Sequence, residues 1–193
     1  AADLPALLTL SEGAQRRTLH FAALAAAHGM PCRTVSYGAT PTFMNHVPIL
    51  PGITELRPGT YALMDASQGH AIGTLDRCAA TVLATVISKP TDTRTILDVG
   101  AKGLTMQSRT EGICAVPGKG TLYDCQEVHI EKVFDEHAII LDRAFHDRVR
   151  IGQKVRIIPV HICPVCNLYD QAYLISGDDV VQTLPIAGRG KLQ

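Results

Sequence analysis

The sequence predicts an α/β segment followed by a mostly-β domain, with the boundary near residue 75. Three observations carry this reading. A long amphipathic helix runs through a glycine stop into an extended segment, the texture after Asp76 changes to short β-branched runs, and no further long helical period appears.

The first 75 residues alternate helical and extended signals. The chain opens at Ala1, rather than Met, on a helix-like apolar pattern, which raises the expectation of coding sequence upstream. From Gly13 to His28, GAQRRTLHFAALAAAH sets Leu19, Ala22, Leu24 and Ala27 at helical spacings, with Arg16 and Arg17 outside. Gly29 is the expected C-terminal stop. Met30 to Ser36 then reads as a short β-rich segment that ends in a glycine-containing turn, so helix, turn and strand suggest a parallel α/β layer. Ile53 to Asp65 is the next strand candidate, interrupted at Pro58-Gly59.

Beyond Asp76 the apolar runs are Ala80 to Ile87, Thr95 to Asp98, Val128 to Phe134, Ala138 to Leu141, Val155 to Pro159 and Tyr169 to Ile175. Each is strand-like in length and composition, and Gly, Pro, Asp and Lys clusters separate them. A closed or sandwiched β domain follows. The expected domains are therefore 1–75 and 76–193, without repeats or low-complexity linkers.

Composition narrows the function. Eighteen basic residues balance 18 acidic ones, so no cationic footprint marks a nucleic-acid or anionic-membrane partner. No apolar run approaches the roughly 18 residues of a spanning helix, and no secretory signal pattern opens the chain. The expectation is a soluble, cytoplasmic protein. Six scattered cysteines favour reduced thiols or metal ligands over a disulfide scaffold.

Two places offer chemistry. In Pro159-Val160-His161-Ile162-Cys163-Pro164-Val165-Cys166, His161 and Cys163 lie two apart, so on extended chain both point to one face, and imidazole with thiolate suits zinc. On spacing alone, a strand end with an incidental histidine and a buried thiol is the stronger reading. Cys163 and Cys166 also form a CxxC, but a redox pair wants its first cysteine at a helix N-terminus, and this one follows a strand. The second place is Ser36-Tyr37-Gly38-Ala39-Thr40-Pro41-Thr42, a small-residue turn after a strand. It offers backbone N–H groups and a hydroxyl to a phosphate, or is an ordinary turn.

Taken in order, VSYGATPT, GITELRPGTYALMD, TILDVGAKGLTMQS, DEHAIIL, IGQKVRIIPVHICPVCNLYDQAYLI and AGRGK resemble one family. It comprises the pyridoxal-phosphate lyases that include eukaryotic-type D-serine dehydratase, D-threonine aldolase and D-3-hydroxyaspartate dehydratase. The phrases span roughly residues 34 to 190. The resemblance implies that 1–75 is the C-terminal portion of an alanine-racemase-like (β/α)₈ barrel and that 76–193 is the family's mostly-β domain. It also implies that the Schiff-base lysine lies in a missing N-terminal barrel half, since Lys102, the only lysine in a motif, is not that residue. No catalytic residue is then expected in this chain, and the piece alone is expected to be inactive and to need its other half or a homodimer.

The resemblance further assigns Gly38, Ala39 and Thr40 to the cofactor phosphate, Tyr61 to its vicinity, and His161 and Cys163 to a metal. Ala39 replaces a more usual Gly or Ser, which removes a side-chain hydroxyl there, and Cys166 is additional to the pattern. The thiolate points to Zn²⁺, with Mn²⁺ or Mg²⁺ as alternatives. The implied substrate is a small D-3-hydroxy amino acid. Dehydration of the D-serine type is preferred because the cysteine form of the metal pair resembles the dehydratases. D-threonine-type retro-aldol cleavage is the alternative, and a non-enzymatic binding module the third reading.

Overall fold

The computed structural model describes residues 1–191. The chain divides into two compact units, Ala1–Ala79 with Thr110–Ala115, and Ala80–Arg109 with Val116–Gln193. Among the described residues no helix is long and apolar enough to cross a membrane.

The first unit begins with α1, Leu4–Ala27, nine residues ahead of the expected start. Its N-terminus is built by Asp3, whose side chain accepts from the Ala6 N–H at 2.9 Å, and by the proline at the second helical position. Leu7, Ser11 and Gln15 are its buried stripe, four residues apart. The fully buried Gln15 amide donates to Pro48 O at 3.0 Å and accepts from Leu50 N–H at 2.8 Å, which holds the 48–50 loop on the helix.

Of the expected Met30 to Ser36 segment only Ser36 is strand, in the two-residue β1, Ser36–Tyr37, because Pro31 and its neighbours lie exposed with no ladder to join. After it come α2, Thr40–Met44, and β2, Glu55–Leu56, which pairs parallel with β1. The expected strand Ile53 to Asp65 keeps only β2. Past Pro58-Gly59 the chain makes a 3₁₀ turn, Thr60–Ala62, and then α3, Ala66–Ile72, capped by the Asp65 carboxylate accepting from Gln68 N–H. A parallel pair with a helix in its crossover is the elementary α/β arrangement.

The second unit carries β3 (Val82–Ser88), β4 (Arg94–Leu97), α4 (Ala101–Leu104), β5 (Gly120–Leu122), β6 (Cys125–His129), β7 (Lys132–Val133), β8 (Ala138–Leu141), α5 (Arg143–Arg148), β9 (Lys154–Pro159), α6 (Ile162–Cys166), β10 (Gln171–Ser176) and β11 (Asp179–Pro185). Strands β3 to β9 form a seven-stranded antiparallel sheet in the order β6-β5-β9-β3-β4-β8-β7. Its outer strands β6 and β7 are consecutive in the chain, separated by Ile130 and Glu131 alone. Ile130 N–H donates to Gly120 O at 2.9 Å beside one edge, and Glu131 N–H to Ile139 O at 2.8 Å beside the other. The run expected as a single strand, Val128 to Phe134, is therefore broken at Ile130 and Glu131 into β6 and β7, so that it passes directly from one outer strand of the curled sheet to the other.

Alternate residues of β3, Val82, Ala84 and Val86, face the interior with Leu97, Ile140, Val155 and Ile157, and Phe145 of α5 joins them. β10 and β11 stand as a separate antiparallel hairpin whose residues are all exposed. β5, β11, α4, α5 and α6 are elements that the apolar pattern alone did not predict.

Candidate functional site

In the first unit the small-residue turn leads from β1 into α2. Gly38 has φ +146, and a Cβ on it would lie 2.8 Å from Arg57 N, so the close approach of the two loops requires glycine. Ala39, extended, is the residue before α2; its N–H donates to Thr42 Oγ1 at 3.3 Å, and that hydroxyl donates to Ala39 O at 2.7 Å. Thr40 is buried, and its Oγ1 accepts from Gly59 N–H at 3.2 Å. With Arg57 N–H on Tyr37 O at 3.0 Å, this bond laces the turn after β1 to the turn after β2. Gly38 and Ala39 line an open cleft of about 210 Å³ together with Phe43, His46, Leu56 and Pro58.

Tyr61, half-exposed in the 3₁₀ turn, does not line this cleft but sets its ring edge-on to Phe43, which does, with centroids 5.5 Å apart. A hydroxyl has one donor and two acceptor positions, so Thr40 can keep Gly59 and still donate to an anion. The Thr40 hydroxyl is thus a donor that a phosphate could use, although Thr40 does not itself line the cleft and the Ala39 N–H is already engaged by Thr42. Sequence reading missed the Thr40–Gly59 tie; the Pro58-Gly59 dipeptide was the available signal, read only as an interruption.

In the second unit the metal candidates sit where β9 gives way to α6. His161, half-buried, has φ −143 and ψ 115 and is the residue before the helix; Cys163, exposed, is the second helical residue. The pair was expected on continuous extended chain. It straddles a strand-to-helix turn instead, so the alternation of a strand does not orient it. Imidazole and thiolate remain a donor set that suits zinc. Among the described residues no group of three or more His, Cys, Asp or Glu side chains gathers for a metal ion; the pair would leave the other positions to water or substrate.

Cys166, three residues on, is half-buried, and burial together with the nearby charge of Cys163 pushes its thiol above the ordinary range. The CxxC therefore lies on a helix after all, contrary to the strand-based argument against it. Lys102 is exposed and pairs with the Glu136 carboxylate, which raises its pKa through that hydrogen bond. Its place at the start of α4 is held by Ala101 N–H on Phe134 O at 2.6 Å.

Residues 79–175 match the family model described as "Putative serine dehydratase domain". A D-threonine aldolase from Arthrobacter sp. is 30% identical over 181 residues, 92% of this chain and 45% of the relative. A D-threo-3-hydroxyaspartate dehydratase from Delftia sp. is 28% identical over 195 residues, 94% of this chain and 51% of the relative. The solved structure of that dehydratase superposes with a TM-score of 0.83 at 27% identity, covering 97% of this chain and 53% of its own. Further structures of the same dehydratase are a cysteine-to-alanine mutant in the metal-free form and a histidine-to-alanine mutant, the histidine two positions before the cysteine. An alanine-racemase-like protein from Idiomarina loihiensis shares the fold, with a TM-score of 0.72 at 24% identity over 86% of this chain and 47% of its own. The chain spans about half the length of the curated relatives it matches.

Proposed function

The chain belongs to the serine dehydratase domain family, and on that premise we propose that it works in a lyase acting on small D-3-hydroxy amino acids with pyridoxal 5'-phosphate and a divalent metal, zinc before Mn²⁺ or Mg²⁺. The observation that carries the proposal is the His161–Cys163 pair at the end of β9. It repeats the histidine and cysteine spacing at which the related dehydratase has been mutated, one of those mutants being a metal-free form. In the first unit, the parallel β1–β2 pair with α2 in its crossover supports reading residues 1–75 as part of a (β/α)₈ barrel.

When bound, pyridoxal phosphate supplies an electron sink for the bond broken at Cα, and the metal a Lewis acid for the β-hydroxyl. This chain's own residues hold and orient. Thr40, which accepts from Gly59 N–H, would donate its hydroxyl to the phosphate, and Gly38 allows the close approach to Arg57 that a side chain would block. Tyr61 packs edge-on against Phe43, which lines the cleft. His161 and Cys163 would hold the metal, and a site with two protein ligands would leave positions open for the substrate hydroxyl. No residue of this chain is assigned to the covalent attachment of the cofactor.

Loss of the β-hydroxyl as water gives dehydration, and loss of its proton gives Cα–Cβ cleavage, so one ligand pair serves either outcome. The thiolate ligand favours dehydration of the D-serine type. The 30% identity to a D-threonine aldolase over 92% of this chain favours the aldolase reading. The test incubates the intact protein, pyridoxal phosphate and zinc with D-serine and D-threonine. Pyruvate or 2-oxobutyrate with ammonia supports dehydration, glycine with acetaldehyde supports aldol cleavage, and no product with either substrate returns the chain to a binding module.

A further inference from the structure

Cys166 has no part in the proposed reaction, yet it sits on the same short helix as a proposed metal ligand. We propose that Cys163 and Cys166 form a reversible thiol–disulfide site, and that closing it takes the Cys163 sulfur away from the metal. The second clause rests on the metal reading above; the first does not.

The two cysteines are three residues apart on α6. That spacing places Cα atoms about 5 Å apart in a helix, inside the roughly 4.4–6.8 Å that a disulfide spans. Cβ atoms at this spacing are about 5–6 Å apart and must come to roughly 3.5–4.5 Å, a local tightening of about 1.5 Å. α6 can take it up. Cys163 is in the first turn, whose N–H groups are not part of the i→i−4 ladder, and Pro164 has no N–H to lose.

Exposure assigns the order of events. Cys163 is exposed and meets an oxidant in solution, whereas Cys166 is half-buried against the apolar interior of the unit. The co-reactant is a low-molecular-weight disulfide. The Cys163 thiolate attacks one of its sulfurs and expels a thiolate, leaving a mixed disulfide on Cys163. The Cys166 thiol gives its proton to solvent, attacks the Cys163 sulfur and expels the second thiolate. Two protein thiols are oxidised by two electrons, and one small disulfide is reduced to two thiols.

A metal bound through Cys163 occupies the same lone pairs that attack, so metal and disulfide exclude one another. The experiment uses the intact protein, metal-free and zinc-loaded, exposed to glutathione disulfide, then alkylated and mapped by mass spectrometry while a chromogenic chelator follows zinc. The expected result is an internal Cys163–Cys166 bond in the metal-free protein, formed at least about tenfold more slowly with zinc bound. Cys166→Val and Cys166→Ser are expected to stop at the mixed disulfide on Cys163; either one that folds is sufficient. Wild-type protein that also stops at the mixed disulfide, or that leaves Cys163 unmodified, overturns the site. An internal bond that forms at equal rates with and without zinc overturns the competition. If reduced protein then also binds no zinc, the metal reading has failed while the thiol site stands.

Discussion

Replacing Thr40 by valine removes one hydroxyl at nearly constant volume and separates two roles of a single oxygen. Thr40 is 5% exposed, and its Oγ1 accepts from Gly59 N–H at 3.2 Å. Gly59 itself is exposed, so water can replace the lost acceptor; the stability cost is about 0.5–1.5 kcal/mol. For a chain of this size that lowers Tm by roughly 1–6 °C. Donation to a charged phosphate oxygen is a stronger bond, about 1.5–3 kcal/mol, or a roughly ten- to hundredfold loss of cofactor affinity. Cofactor binding should therefore suffer more than folding. Thr40→Ser keeps the hydroxyl and gives up one buried methyl, about 0.8 kcal/mol of stability, and should hold the cofactor like wild type. The assay pairs thermal denaturation with loss of pyridoxal phosphate absorbance on dialysis of the intact protein. Serine that loses cofactor as fast as valine, or valine that retains it as wild type does, refutes the hydroxyl contact. Gly38→Asp is a poor companion, because its Cβ would lie 2.8 Å from Arg57 N and disturb the backbone whether or not a phosphate binds there.

Three further outcomes follow from the packing. Gly100→Ala places a Cβ 2.3 Å from Phe134 O and 2.4 Å from Asp135 O, and should cost about 1–3 kcal/mol or more, seen as a lower urea midpoint; an unchanged midpoint contradicts the docking of α4. Ile157→Ala, at a fully buried β9 position, should cost about 2–5 kcal/mol in the same assay, with less than about 1 kcal/mol contradicting its place in the core. Burial, then the Asp65 and Asp76 charges, push the Cys78 thiol from 9.0 up to about 12. Between those values the unfolded chain has released a proton that the folded chain keeps, so stability is intact below pH 9 and falls as pH rises through this window. Cys78→Ala should flatten that alkaline fall, and an equal fall in wild type and variant would contradict the assignment.

Apolar composition and length, more than burial, made strands legible: β10 was expected within Tyr169 to Ile175 although all its residues are exposed, whereas β5, three residues long and wholly buried, was not expected. Ala138–Leu141 is an apolar run bounded by polar residues, and the structure keeps it residue for residue. β11 is exposed throughout and exists by pairing with β10, so hydrophobic alternation had nothing to report; the turn at Gly177 was its one local mark. α5 and α6, six and five residues long, are too short to show a helical period. The break at Ile130 and Glu131 between the two outer strands depends on partners in β5 and β8, far along the chain. At the candidate site, ligand chemistry was legible in His161 and Cys163, while their local geometry was misread because the strand ends two residues earlier, at Pro159. The Thr40–Gly59 tie was hidden for another reason: 19 residues separate the partners, and only the parallel pairing of β1 with β2 brings them together.

The zinc content of the intact, reduced protein tests the central claim most directly. Protein loaded with zinc and freed of excess should hold about one ion per chain in wild type, and His161→Ala and Cys163→Ala should each lose most of it, since a site with two protein ligands cannot spare one. X-ray absorption at the zinc edge should show one sulfur neighbour in wild type. Full zinc in Cys163→Ala, or a wild-type zinc site without sulfur, would contradict the account.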